Sequence, residues 1–199
     1  MGQVIHELLS YFKDEEVLAK EQEYMDYLKN HIANVQKAYK IYFLPLLKRD
    51  DLVLSSVPVE EFKQAIRDAK DNVEKHDQSK YEDIEFFGYR KHFYPTESEK
   101  SFGNDYAHES EMYYEEAWKH HYENNPHHQE YWIDPETNTP RDMELKYIVE
   151  MLSDWVAMSM YFNSDTIEWY EKEAKEEKHN MTERTKMIVE ELLYNVLFK

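Results

Sequence analysis

The chain has 199 residues, 41% of them hydrophobic and 15% aromatic, which suffices for one packed domain and excludes wholesale disorder. Its formal charge of −18 argues against binding a nucleic-acid polymer or an anionic membrane, both of which need basic patches. With no cysteine, disulfides and thiolate metal sites are excluded, so any bound metal must be held by nitrogen and oxygen.

Only three glycines and six prolines break the chain, which favours long helices over many short strands. A first helix is predicted from about Val17 to Leu47, with Leu28, His31, Val35, Ala38 and Tyr42 recurring at three- and four-residue steps. That spacing puts His31 on the apolar stripe. Pro45 and the run KRDD mark the end of this helix. SSVPVEEF reads as the next start, with Ser56 as N-cap, Pro58 in the first turn and Glu60 and Glu61 near the positive end of the dipole. This helix should run to about Lys75 and deliver His76 and Asp77 at its end. A short helix is predicted from Tyr81 to His92, and ESEKSFGND is read as a loop and a candidate lid. A helix from Tyr106 to Tyr122 carries His120 and His121, NNP interrupts it, and WIDPETNTPRD is a turn region. Met143 to Phe162 is strongly helical, with Leu145, Ile148, Val149, Leu152, Val156 and Met160 on the buried side and Asp154 between them. Helices from Asp165 to Lys178 and from Thr182 to Phe198 complete the chain. The expected fold is all-α: a single-domain helical bundle of six to seven helices over residues 1–199, with the candidate metal site in about 17–162 and C-terminal helices in 165–198.

The start MGQVIHELLSYFKDEE lacks the basic opening of a signal peptide, and the apolar run IYFLPLL is too short to span a bilayer. A cytoplasmic protein is the expectation, bacterial or in the host cytoplasm if phage-encoded. Assembly into an oligomer is compatible with the sequence.

Five of the ten histidines fall in two strings, HDQSK (His76) and KHHYENNPHH (His120, His121, His127, His128). Imidazoles and carboxylates suit a mid-row divalent ion such as Mn2+, Fe2+, Co2+, Ni2+ or Zn2+. Helical bundles bring such side chains together in their cores. Asp154 on a buried stripe would be costly unless a metal or a basic partner met it. Adjacent helical residues point roughly 100° apart, so the four clustered histidines cannot all bind one ion. His121 and His128 are taken as ligands, with His120 or His127 contacting substrate or the carboxylates behind the ligands. Arg90 and Lys91, basic residues in an acidic chain, are candidates for a substrate phosphate or for pairing with the many acids. Tyr89, Phe93, Tyr94, Tyr131 and Trp132 are core residues or stacking walls. His108 is a further candidate ligand, whereas His6, His92 and His179 read as surface residues.

The order His31, His76-Asp77, paired histidines and Asp154 resembles the HD superfamily of metal-dependent phosphohydrolases. HDQSK is similar to the His-Asp-x-x-Lys version in the branch that cleaves cyclic dinucleotides, although the glycine-rich stretch after that branch's paired histidines is absent here. The resemblance implies one or two divalent metals on His31, His76, Asp77, His121, His128 and Asp154. It gives Asp77 and Lys80 to catalysis, with Lys80 facing phosphate, and a nucleotide-like or other small phosphoester as substrate. EFFGYRKHFYP and AWKHHYENNPHH also resemble a group of small bacterial and phage proteins with no known activity. Two alternatives keep the same ligands: an HD-type diiron oxygenase acting on a small molecule, and a metal-stabilised protein that sequesters a ligand without turnover.

Overall fold

The computed structural model describes residues 15–172 and 181–198. The described chain is all-α, with eight α-helices: α1 Glu15–Ala38, α2 Val59–Glu74, α3 Asp83–Phe93, α4 Glu97–Lys100, α5 Asn104–Asn124, α6 Leu145–Phe162, α7 Thr166–Lys172 and α8 Glu183–Glu191. Among the described residues the only β pairing is an isolated bridge between Ile133 and Pro140, inside the expected turn region. None of their helices is long and apolar enough to cross a membrane. The chain forms two compact units, one of Met1–Lys29 with Ser79–His121, the other of Asn30–Gln78 with Tyr122–Lys199.

The larger unit is built on α2 and α6. Phe62, Ile66, Ala69 and Val73 recur along one face of α2 and are buried with Ile148, Val149 and Leu152 of α6 in one apolar cluster. Ile188, Leu192 and Leu193 join them from α8 and the wider π-helical turns Leu192–Leu197 that extend it. Each such side chain contributes roughly 1.5–3 kcal/mol by leaving water. After Ala38 the helical path continues as a π segment, Tyr39–Phe43, and a 3-10 segment, Leu44–Lys48. Pro45 lies in the first turn of the latter, where its missing N–H costs least. Tyr39 donates its hydroxyl to the Ile66 carbonyl at 2.6 Å, tying this path to α2.

In the smaller unit α3 meets α5 backbone to backbone. A Cβ at Gly88 would stand 2.5 Å from the Tyr113 carbonyl oxygen and 2.6 Å from the Ala117 Cβ, so only glycine admits this approach. Tyr24 packs against Phe86 and Tyr94, at ring-centroid distances of 5.1 and 5.6 Å.

Two local expectations are corrected. Ser56 is not an N-cap: the N-cap of α2 is Pro58, without a side-chain bond, because Ser55 and Ser56 are both taken by the Glu191 carboxylate. ESEKSFGND is not simply a loop, since Glu97–Lys100 forms a helical turn closed by a Thr96/Glu99 capping box. That turn helps to bring the helix count to eight. Of the expected helix 165–178, α7 covers Thr166–Lys172, and residues 173–178 lie outside the described residues, as do His6 and His179. At the last helix Thr182 does cap, accepting from the Thr185 N–H at 3.1 Å.

Candidate metal centre

Four stretches of the larger unit supply its imidazoles and carboxylates. The α1 stripe that buries Val35 and Ala38 also buries His31, 4% exposed. At the end of α2 the chain turns through Lys75, and His76 and Asp77 follow, each 1% exposed. Asp77 has a φ of 57°, the left-handed region, in which aspartate is among the better-tolerated side chains. His127 and His128 lie between α5 and the 3-10 turn Gln129–Trp132, in a segment braced by the Trp132 indole, which donates to the Pro126 carbonyl at 2.7 Å. Glu150 and Asp154 stand one turn apart on α6, so they share a face.

These side chains converge. His31 Nε2 lies 3.4 Å from Asp77 Oδ2 and 3.3 Å from Asp154 Oδ1. His76 Nε2 lies 3.6 and 3.9 Å from the same two oxygens. Ligand atoms held about 2.1 Å from a metal at 90–109° stand about 3.0–3.4 Å apart, so this spacing fits a cage after slight contraction. The other oxygen of Asp77, Oδ1, faces His127 Nε2 at 3.6 Å. Two triads have potential ligand atoms within 4.8 Å of one another, His31/His76/Asp77 and His76/His127/Asp154, and Asp77 meets the same criterion with His127 and His128. The Nε2 of His76 and Oδ1 of Asp154 are buried without a hydrogen bond, the state of atoms shaped to take a cation. These buried clusters could hold a metal ion.

Glu150 backs the cage. Its Oε1 lies 3.0 Å from His76 Nδ1 and 3.4 Å from His127 Nδ1. Burial alone would raise its pKa, but hydrogen bonds from His127 and His76, and the charge on those rings, hold it down at about 2. Burial likewise works against a charged His127, yet the Glu150 hydrogen bond and charge, with Asp77 and Asp154 behind it, raise that pKa above the usual imidazole value.

The structure gathers His31, His76, Asp77 and Asp154 as ligand candidates. His127, read as contacting substrate or a carboxylate behind the ligands, turns its Nε2 toward Asp77 and its Nδ1 toward Glu150, while His128, half-buried at the N-cap of the 3-10 turn, keeps a ring nitrogen within 4.8 Å of candidate ligand atoms of Asp77 and His127. In the smaller unit, Glu85 is fully buried and spans two histidines, Oε1 to His120 Nδ1 at 2.7 Å and Oε2 to His121 Nδ1 at 2.8 Å. Lys80 lies over the Tyr89 ring, 5.6 Å from its centroid. Arg90 is 2% exposed, and its two terminal nitrogens each donate to Glu99 at 2.7 Å, which gives it a structural partner in place of a substrate. Lys91 pairs with Glu109 at 3.2 Å and covers the Tyr113 ring. His108 is exposed, and His92 is half-buried and stacked on Tyr114 rather than on the open surface.

A protein-family model matches residues 20–195, nearly the whole chain. The chain belongs to DUF5662. This is a family of unknown function. No curated protein and no solved structure matches the chain. Every residue of the buried cluster in this DUF5662 member, from His31 to Asp154, falls within the matched span. Glu150 and Glu85 are the participants that sequence reasoning missed. Their only signal was position: Glu150 is a lone acid within YIVEML and four residues before Asp154, and Glu85 precedes the aromatic pair Phe86-Phe87.

Proposed function

We propose that this protein is a metal-dependent phosphohydrolase of the HD type, acting on a nucleotide-like or other small phosphoester with one or two divalent transition-metal ions. The observation that carries this reading is the buried group of His31, His76, Asp77 and Asp154, with imidazole and carboxylate atoms 3.3–3.9 Å apart. Two imidazoles and two carboxylates match the donor preference of manganese, iron, cobalt and zinc, and the chain offers no sulfur ligand. When bound, such an ion supplies Lewis acidity and a nucleophilic water at neutral pH. His31, His76, Asp77 and Asp154 would hold it. The two oxygens of Asp77 face different imidazoles, so this carboxylate is the residue suited to serve two ions. Lys80, three residues after Asp77 in HDQSK, is assigned to charge on the phosphate. The acidic surface remains compatible with an anionic substrate, because bound cations reverse the field inside the site.

The test combines elemental analysis of purified protein with a panel of phosphomonoesters, phosphodiesters and nucleotides assayed with Mn2+, comparing wild type with Asp77→Asn. Substitution of partners that merely orient a metal ligand costs about 10–100-fold, so loss of Asp77 should lower kcat/KM by at least about 100-fold. Phosphate release by the wild type with that loss in the variant is the expected result. Equal activity in the variant, or oxygen uptake with bound iron and no phosphate release, would overturn the reading.

A further inference from the structure

A deprotonated carboxylate accepts hydrogen bonds and donates none. Glu150 presents one carboxylate oxygen to two ring nitrogens and acts as their common acceptor. The nitrogens facing its Oε1 are both Nδ1, from His76 at 3.0 Å and His127 at 3.4 Å. Both rings must therefore place a proton on Nδ1. In their neutral forms, each then carries its lone pair on Nε2, and these are the two atoms aimed at Asp77, 3.6 Å from Oδ2 and 3.6 Å from Oδ1. In water the free histidine side chain favours the opposite tautomer, with the proton on Nε2, so this form has to be imposed. The smaller unit repeats the device. Glu85, fully buried, receives the Nδ1 atoms of His120 and His121 on its two oxygens at 2.7 and 2.8 Å.

We propose that Glu150 is a positioning residue that fixes His76 and His127 together in the Nδ1–H tautomer, and that Glu85 does the same for His120 and His121. The purpose of this arrangement rests on the metal-dependent reading above, since a cation needs the bare Nε2. A glutamate that only filled space or paired charge would not select one tautomer on both of its histidines. Because one oxygen of Glu150 serves two rings that face different oxygens of Asp77, its loss releases both at once.

The test separates tautomer from metal. In chelator-stripped, 15N-histidine-labelled protein at alkaline pH, long-range 1H–15N correlation spectra distinguish a protonated from a bare ring nitrogen. Assignment would come from His76→Gln and His127→Gln. The expected wild-type result is Nδ1–H with bare Nε2 for His76, His127, His120 and His121. Glu150→Gln should return His76 and His127 toward the Nε2–H form and weaken metal binding about 10–100-fold, and Glu150→Asp should restore part of both. Glu85→Gln should shift His120 and His121. Asp154→Asn serves as the contrast, losing metal while keeping the tautomers. Nε2–H at His76 and His127 in the wild type would overturn the proposal, and that measurement stands even if Glu150→Gln fails to fold. Unchanged tautomers and metal affinity in a folded Glu150→Gln protein would overturn it equally. A wild type that shows the expected tautomers and yet binds no metal would sink the metal-dependent reading and leave the tautomer assignment intact.

Discussion

At the scale of single residues, Asp77 combines two demands. Its carboxylate faces His31, His76 and His127, and its backbone holds a φ of 57°. A side chain in this region crowds its own carbonyl, at about 1–2 kcal/mol for an ordinary residue. Replacing it separates the two demands. In metal-free protein, Asp77→Gly should be about 1 kcal/mol more stable than Asp77→Ala, since both remove the carboxylate and only glycine accepts the backbone without strain. Thermal melts of the pair with chelator present check this, and equal melting would show that position 77 relaxes to an ordinary conformation. His76, Asp77 and Asp154 stood out in the sequence because each has a local signature: a doublet at a helix end, or an acid on an apolar stripe. Glu150 and Glu85 had almost none, being two acids among 42. Their significance lies in which ring nitrogen they face, and that is set by tertiary packing.

At the scale of elements, the entry to α2 shows how a distant side chain replaces a local cap. Glu191, at the end of α8, accepts from the backbone N–H of Ser55 at 2.7 Å and of Ser56 at 2.8 Å, and from both hydroxyls. Burial acts to raise its pKa, but these bonds outweigh it and hold the value at about 2, against an ordinary 4.5. A folded pKa below the unfolded one means that the contribution is complete above about pH 4.5 and is lost as the pH falls from there toward 2. Glu191→Gln should therefore lose stability at neutral pH and show a flatter acid limb between those values, measurable by urea titration at a series of pH values. An unchanged acid limb would mean that the carboxylate is not depressed. The sequence spoke clearly for the helices themselves, because the 3.6-residue period survives in α1, α2 and α6. It misplaced the cap, because Ser-Ser before a proline looks like a local signal and its true partner is more than 130 residues away. The 3-10 and π segments that continue α1 past Ala38 were also invisible, since apolar spacing registers helix but not its pitch.

At the scale of the whole molecule, the all-α architecture was legible from composition alone, in the scarcity of glycine and proline and the absence of alternating strand patterns. The division into two units was not, because α1 and α5 each run through a unit boundary without any break in sequence pattern. The four residues assigned to the ion come from positions 31, 76–77 and 154, so a bound ion would cross-link three distant stretches of the larger unit. An ion at 100 times its dissociation constant stabilises the folded state by about 2.7 kcal/mol. For a chain of this size that corresponds to a rise in Tm of about 5–10 °C. Adding chelator should lower the Tm by that amount in the wild type and leave a His31→Ala/Asp154→Ala protein unmoved. A wild type indifferent to chelator and to added Mn2+ would argue against a metal centre.

The Trp132 indole that reaches back to the Pro126 carbonyl has a thermodynamic consequence. It closes a small ring around His127 and His128, so the conformational entropy of that segment is surrendered when the chain folds rather than when a ligand arrives. An ion bound at such a site would be captured without first ordering a loop. The association step would then be limited by shedding water from the ion, not by rearrangement of the protein.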